Sequence, residues 1–529
     1  MRTLIINGTV IDGSGKSAFP GDVLIENGRI AAIGAIGTIE NAEVIDAQGA
    51  IVCPALVDIH RHMDAKPLLG SSMEIELRQG IATTAAGNCG FSLSPGFGPH
   101  AEEKRLNDFP ILGRYPEGFR YSFPEYLSAL ENSRPALNTA AMIGLGAVRI
   151  TLSGFSDAPL SSAQLANGAD MIAEALSAGA AGVSAGIMYL PEFYTQKEEY
   201  SALLRALRGG RKPLITHIRG EGDTLVSSVR EVLEIARDAQ CPLEISHFKS
   251  CGMHNWGREI HRAIELIESA RARGQDVTVD FYPYIGGSTA LTTMLPPAFV
   301  QGDMNAALQL LGTKQGLERL RETLAVTYPD WDNYAVTLGW DRILIASAMP
   351  ENTRYLGLSV QEAAEKYGYE DAAALAAHLM HSENGQTAII NLSMDPADVD
   401  AIAQLPYSSL ISDAIYADTD TPHPRMYGAF PKFYADFVRE RRILSAEAAI
   451  RKMTSMPAAR LQLQGRGLLT VGNAADILVF EPDSFGSAAT FASPAQMGTG
   501  VRALLVNGIM RVENDCIIGK NSGCALRVR

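Results

Sequence analysis

The 529-residue sequence has no Lys/Arg-rich run, and its 45 basic side chains against 59 acidic ones give a net charge of −14, which argues against nucleic acid or an anionic membrane as partner. It lacks any uninterrupted apolar stretch near the roughly 20 residues of a membrane span. The start, MRTLIINGTVIDGSG, lacks the apolar block of roughly 7 to 15 residues that a signal peptide needs, so a cytoplasmic location is expected. Cysteine is sparse: six residues (Cys53, Cys89, Cys241, Cys251, Cys516, Cys524) without CxxC spacing fit reduced thiols better than a disulfide framework. There is no HExxH and no Walker loop, and Gly144-Leu145-Gly146 lacks the third glycine of a dinucleotide fingerprint because Arg149 stands there. With 47% hydrophobic residues, disorder is excluded as well. What remains is a globular enzyme acting on a small molecule, with nothing that speaks to its oligomeric state.

Both ends read as β-structure. DVLIENGRIAAIG places Asn27-Gly28 between two apolar runs, and VRALLVNGIMRV does the same with Asn507-Gly508. Asn-Gly is the strongest short-range hairpin signal, because a type I′ turn needs positive φ at both central residues. An isolated hairpin is marginal in water, so residues 1–50 and 466–529 are expected to form one small β-sandwich domain from both ends of the chain.

The middle has another rhythm. PLITHI, a helical pattern with Leu225, Val229, Val232, Leu233 and Ala236 on one face, CPLEISHF, a second helix through Ile260, Ile264 and Ile267, and VTVDFY read as βαβαβ. Strands alternating with helices imply parallel pairing. Further units at IVCPALVDIH, ATTAAGNCG, TAAMIGLG, GVSAGI and YSSLISDA supply enough strands for a (β/α)8 TIM-like barrel over residues 51–465. An open doubly wound sheet is the structural rival. Residues 289–341 break the rhythm and read as a lid-like insertion.

Chemistry concentrates at the predicted strand ends. His60 and His62 close the first strand and, two residues apart, face one side; Arg61 between them then points away from the pocket. Cys89 closes GNC, His217 closes PLITH, His247 closes CPLEISH, and Asp413 closes SSLISD. In a parallel barrel all these ends converge on the face that carries the active site. Thiolate and imidazole with a single carboxylate select Zn(2+) over the all-oxygen shells of Mg or Ca. Gly182 to Gly186 satisfies GxSxG, but the nucleophile elbow requires a helix next, and Pro191 arrests one. Lys249, two residues beyond His247 and on the same strand face, is a candidate cation for a substrate carboxylate.

Together HRH, GNCGFS, THIRGEGD, ISHFK, DFYPYIGGST, SDA and TPHPRMYGAFPKF resemble the N-acyl-D-amino-acid deacylases (D-aminoacylases) of the amidohydrolase superfamily, over nearly the whole chain. The resemblance implies the barrel, the composite β-domain, and zinc-dependent hydrolysis of an N-acyl-D-amino acid to a carboxylate and a free D-amino acid. It implies tight zinc binding by Cys89, His217 and His247, and a second, weaker position involving His60, His62 and the shared Cys89. Asp413 would be the catalytic acid/base, Lys249 and Tyr282 would take the substrate carboxylate, and Tyr189 and Ser288 would make further substrate contacts. Arg61 and Ala414 depart from the family pattern. Because IGGSTALTTMLPPAFV carries no cation, a neutral or apolar D-side chain is expected.

Two other readings compete. A cyclic-amide hydrolase resembling dihydroorotases or hydantoinases would bridge its metals with a carboxylated lysine, and TAAMIGLG and GVSAGI contain none. A non-catalytic barrel binding protein is the other, since fold never guarantees function.

Overall fold

Asn27 and Asn507 both take left-handed backbone (φ 51° and 53°), and so do Gly28 and Gly508 after them (φ 76° and 78°), as type I′ turns require. In the computed structural model, which describes residues 2–416, 419 and 421–529, these turns join Phe19–Glu26 to Arg29–Gly34 and Val501–Val506 to Ile509–Glu513. Both hairpins belong to one nine-stranded sheet. Their turns meet: a Cβ on Gly508 would lie 2.7 Å from Gly28 Cα, so only glycine fits there. The strands of the expected sandwich are continuous in this one sheet; Ile5, Val23 and Ile30 pack with Ile477, Val479 and Leu505 in its own core, while Cys53, Leu478 and Phe480 join the core of the barrel.

The apolar run IVCPALVDI serves two units. Ile51–Pro54 pairs with Arg2–Val10 and with Ile477–Phe480 in the terminal sheet. After Ala55 the chain enters the barrel, whose strands we number β1 (Leu56–Asp58), β2 (Ile81–Ala86), β3 (Asn138–Ala141, continued by Ile143–Gly144), β4 (Val183–Gly186), β5 (Leu214–His217), β6 (Leu243–Ile245), β7 (Val277–Phe281) and β8 (Ser408–Leu410). Neighbours pair in parallel from β1 to β8. A parallel bridge between Arg61 and Ala414 joins the two ends of the series. Ala525–Leu526, read from sequence as part of the terminal sheet, instead pairs with β3.

Helix Leu225–Ala239 buries Leu225, Val229, Val232, Leu233 and Ala236, the face its periodicity predicts. Full burial of each large aliphatic side chain contributes roughly 1.5–3 kcal/mol. The segment 289–341 is the first half of a longer unit. Gly287–Ala290 and Ile343–Ile345 flank Ala388–Asn391 in a three-stranded antiparallel sheet. Helices Met304–Leu311, Lys314–Leu324, Val360–Tyr367 and Ala372–Ser382 pack around their own core of Leu308, Leu320, Tyr355 and Leu375.

Candidate metal centre and active site

Six side chains converge beyond the carboxyl ends of the barrel strands. Cys89 Sγ lies 3.2 Å from His60 Nε2 and 3.4 Å from His247 Nε2. Asp413 Oδ1 is 3.5 Å from His60 Nε2 and 3.3 Å from His62 Nε2. The His217 and His247 rings stand 4.3 Å apart, centroid to centroid. Among the described residues, the groups close enough to share a metal ion are His60 with Cys89 and His247, His60 with His62 and Asp413, and His217 with Glu221 and His247. Cys89 and His217, expected to share one zinc with His247, fall in different groups: Cys89 with His60 and His247, and His217 with Glu221 and His247.

The backbone carries strain here. Cys89, His247 and Asp413 all adopt left-handed φ (53°, 33° and 50°), uncommon for residues with a Cβ. The Cys89 turn also needs a close approach, because a Cβ on Gly186 would lie 2.0 Å from Cys89 O. Ser184 of the GxSxG match is fully buried, its Oγ accepting from the Gly90 N–H at 3.1 Å. It supports this turn and is not an exposed nucleophile.

The donor set fits zinc. Two ligands of one tetrahedral zinc, at 2.0–2.3 Å from it, lie roughly 3.5 Å apart, the spacing seen from Cys89 to His60 and His247. Burial pushes the Cys89 thiol well up, reinforced by the Asp413 and Asp280 carboxylates, so a thiolate there calls for a cation. Burial holds His217 and His247 well below the ordinary imidazole range and His60 down at about 4, keeping all three as neutral ligands. Glu221 Oε1 lies 3.0 Å from His247 Nδ1, and Asp280 Oδ2 lies 3.6 Å from His60 Nδ1. A carboxylate standing behind a ligating histidine, as Glu221 stands behind His247, orients the ring.

One cavity of about 30 Å³ adjoins these groups, and Tyr189, Lys249, Tyr282 and Ser288 all line it with His62, Cys89, His217, His247 and Asp413. Lys249 Nζ pairs with Glu221. Tyr282 Oη is buried and has no hydrogen-bond partner among the described residues, leaving its donor open to a ligand. Tyr334 and Asn391, from the inserted unit, complete the wall.

Sequence reasoning missed Arg425. Its Nη1 lies 2.8 Å from Asp413 Oδ2, and its guanidinium stacks 4.5 Å from the Tyr282 ring centroid. Burial works to raise the Asp413 carboxyl, but the Arg425 guanidinium beside it leads the opposing interactions, which hold it well below the usual range. The arginine stands in TPHPRMYGAFPKF, two residues beyond His423. That histidine braces the Arg425 turn, accepting from the Arg425 N–H at 3.0 Å with Nε2 2.8 Å from Gly286 O. Glu221 and Asp280 were equally visible as acidic residues beside predicted strand ends.

An amidohydrolase family model matches residues 374–511. Over 96% of this chain and 91% of the relative's, the sequence is 32% identical to an N-acyl-D-aspartate deacylase of Alcaligenes xylosoxydans xylosoxydans. The chain belongs to the N-acyl-D-amino-acid deacylase family. Among solved members, the N-acyl-D-glutamate deacylase of Bordetella bronchiseptica complexed with zinc and a phosphonate inhibitor superposes with TM-score 0.85 at 31% identity, over 99% of each chain. A D-aminoacylase with a binuclear metal centre gives 0.83 at 28%, again over 99% of each. As in the sequence of this deacylase-family chain, barrel strands β3 and β4 carry no lysine that could bridge metals.

Proposed function

We propose that this chain hydrolyses the amide bond of N-acyl-D-amino acids in a zinc-dependent reaction, releasing a carboxylate and a free D-amino acid. The observation that carries the reading is the convergence of Cys89, His60, His62, His217, His247 and Asp413 beside a cavity that also holds Lys249 and Tyr282. As the resemblance to the family implies, Cys89, His217 and His247 would hold a tight zinc, and His60, His62 and Asp413 a second, weaker one next to Cys89. When bound, zinc supplies a Lewis acid that polarises a carbonyl and lowers the pKa of water to about 7.

The protein's own groups do the rest. Asp413 takes the proton of the attacking water and gives it to the departing amine nitrogen, serving as base and then acid. Arg425, against Asp413 Oδ2, fixes which carboxylate oxygen is free for this exchange. Lys249 and the unpartnered Tyr282 hydroxyl receive the substrate α-carboxylate. Tyr189 and Ser288 border the bound molecule, and Ile111, Met188 and Ile415 in the same wall favour a neutral side chain.

The test is a panel of N-acetyl and N-formyl D- and L-amino acids, leucine and glutamate included, with purified protein and zinc. Hydrolysis of the D-compounds, with neutral side chains preferred, is the expected result. Failure to cleave any of them, or preference for the L-series, overturns the assignment; a preference for D-glutamate overturns the side-chain preference alone.

A further inference from the structure

Arg61 stands between two of the metal-site histidines, yet its side chain runs away from them into a wholly buried nest. Nη1 lies 3.2 Å from Asp58 Oδ2, and Nη2 lies 3.0 Å from Glu76 Oε1. Nε and Nη2 both donate to Tyr416 Oη, at 3.1 and 2.8 Å. Tyr416 in turn donates to Glu76.

Each partner sits a step or two from the catalytic groups. Asp58, two residues before His60, accepts from both the N–H and the hydroxyl of Ser412, the residue before Asp413. Tyr416 lies three residues beyond Asp413. Nη2 also donates to Met426 O at 3.4 Å, and Met426 follows Arg425, the ion-pair partner of Asp413.

The backbone alone joins these parts thinly. The Asp413 N–H donates to His60 O and the His62 N–H to Ala414 O, both at 2.9 Å, and the pairing between these two stretches is one isolated bridge, Arg61 with Ala414. This is the seam where the first and last barrel strands meet. A planar guanidinium can engage Asp58, Glu76 and Tyr416 at once, in fixed directions, whereas an ammonium cannot.

We infer that Arg61 is a positioning residue: it braces the seam and sets Asp413 against His60 and His62. Its action passes through Asp58 to Ser412, and through Tyr416 and Met426 to both sides of Asp413. Small displacements matter here, since a misplacement of about 1 Å can cost on the order of 100-fold in rate.

Arg61→Ala would strip two buried carboxylates of their cation and so probe folding, not positioning. Arg61→Lys keeps the charge and loses the fork; Tyr416→Phe keeps both ion pairs and loses the shared hydroxyl. Zinc content, kcat, KM and amide hydrogen exchange are measured on each. The kcat arm rests on the deacylase reading; the exchange arm stands without it. For Arg61→Lys the expected result is a kcat at least about tenfold lower, with KM within about twofold and zinc content unchanged. Tyr416→Phe should show a smaller loss of the same kind. Exchange of the Asp413 and His62 amides should quicken relative to that of Val279 inside β7. The inference is overturned if both variants keep wild-type kcat, if kcat falls only in proportion to lost zinc, or if the two seam amides exchange as in wild type. Should wild-type protein cleave nothing in the panel, the functional reading fails and the exchange result alone decides the role of Arg61.

Discussion

Asp332 Oδ2 accepts the Gly222 N–H at 2.7 Å, tying the inserted unit to the loop that follows β5. The same carboxylate takes the N–H groups of Glu221 and Thr224 and the Thr224 hydroxyl. Glu221 pairs with Lys249, so this grip reaches the substrate cavity. Asp332→Ala should destabilise the protein by about 2–3 kcal/mol, the worth of charge-assisted bonds lost at a buried site, and raise KM. Thermal melts and steady-state kinetics check both; a variant with wild-type KM would separate the loop from substrate binding.

Asp413→Asn leaves the side chain's shape and removes its proton exchange. Its kcat should fall by about 10²–10⁴-fold, the usual share of general acid–base catalysis. Near-full activity would mean that another group moves the proton.

Removal of metal should abolish hydrolysis, and added zinc should restore it. Zinc should also raise the melting temperature, because a ligand that binds the folded state alone stabilises it by mass action. In Cys89→Ala both effects should shrink together. A melting temperature indifferent to zinc in wild-type protein would count against the centre.

Glu192, which is not among the metal-binding candidates, predicts a pH dependence of stability. Burial pushes its carboxyl from 4.5 up to about 7, despite bonds from the Gly186 N–H and the Tyr200 hydroxyl. The folded state therefore holds a proton that the unfolded state has released between those values. The stabilisation is complete below pH 4.5 and is lost as pH rises through 7, amounting to about 3 kcal/mol. Glu192→Gln should flatten this part of the profile. Melting curves from pH 4 to 8 on both proteins give the comparison, and parallel profiles would show that Glu192 does not titrate there.

The parts legible in sequence were those fixed by local chemistry. Asn-Gly at 27 and 507 demands its turn whatever surrounds it, and His217, His247 and Asp413 end apolar runs that can be read as strands. Arg425 escaped because it lies beyond the last strand, on a turn whose direction depends on His423 holding Gly286. Asn391 and Tyr334 reach the cavity only through an inserted unit with no regular period, and its return strand lies about a hundred residues from its first. The fate of IVCPALVDI was also hidden: alternation shows a buried strand, not that Pro54 and Leu56 belong to different sheets.

The sheet that unites Arg2–Val10 with Ile477–Phe480 by way of Ile51–Pro54 has a consequence for synthesis. While the polypeptide emerges from the ribosome, Ile51–Pro54 must wait for more than four hundred further residues before Ile477–Phe480 can cover it. Until then an apolar strand edge stays open, and pairings of such long sequence separation form slowly and invite aggregation. Yield from a fast expression host should therefore improve with cooler, slower production or added chaperone.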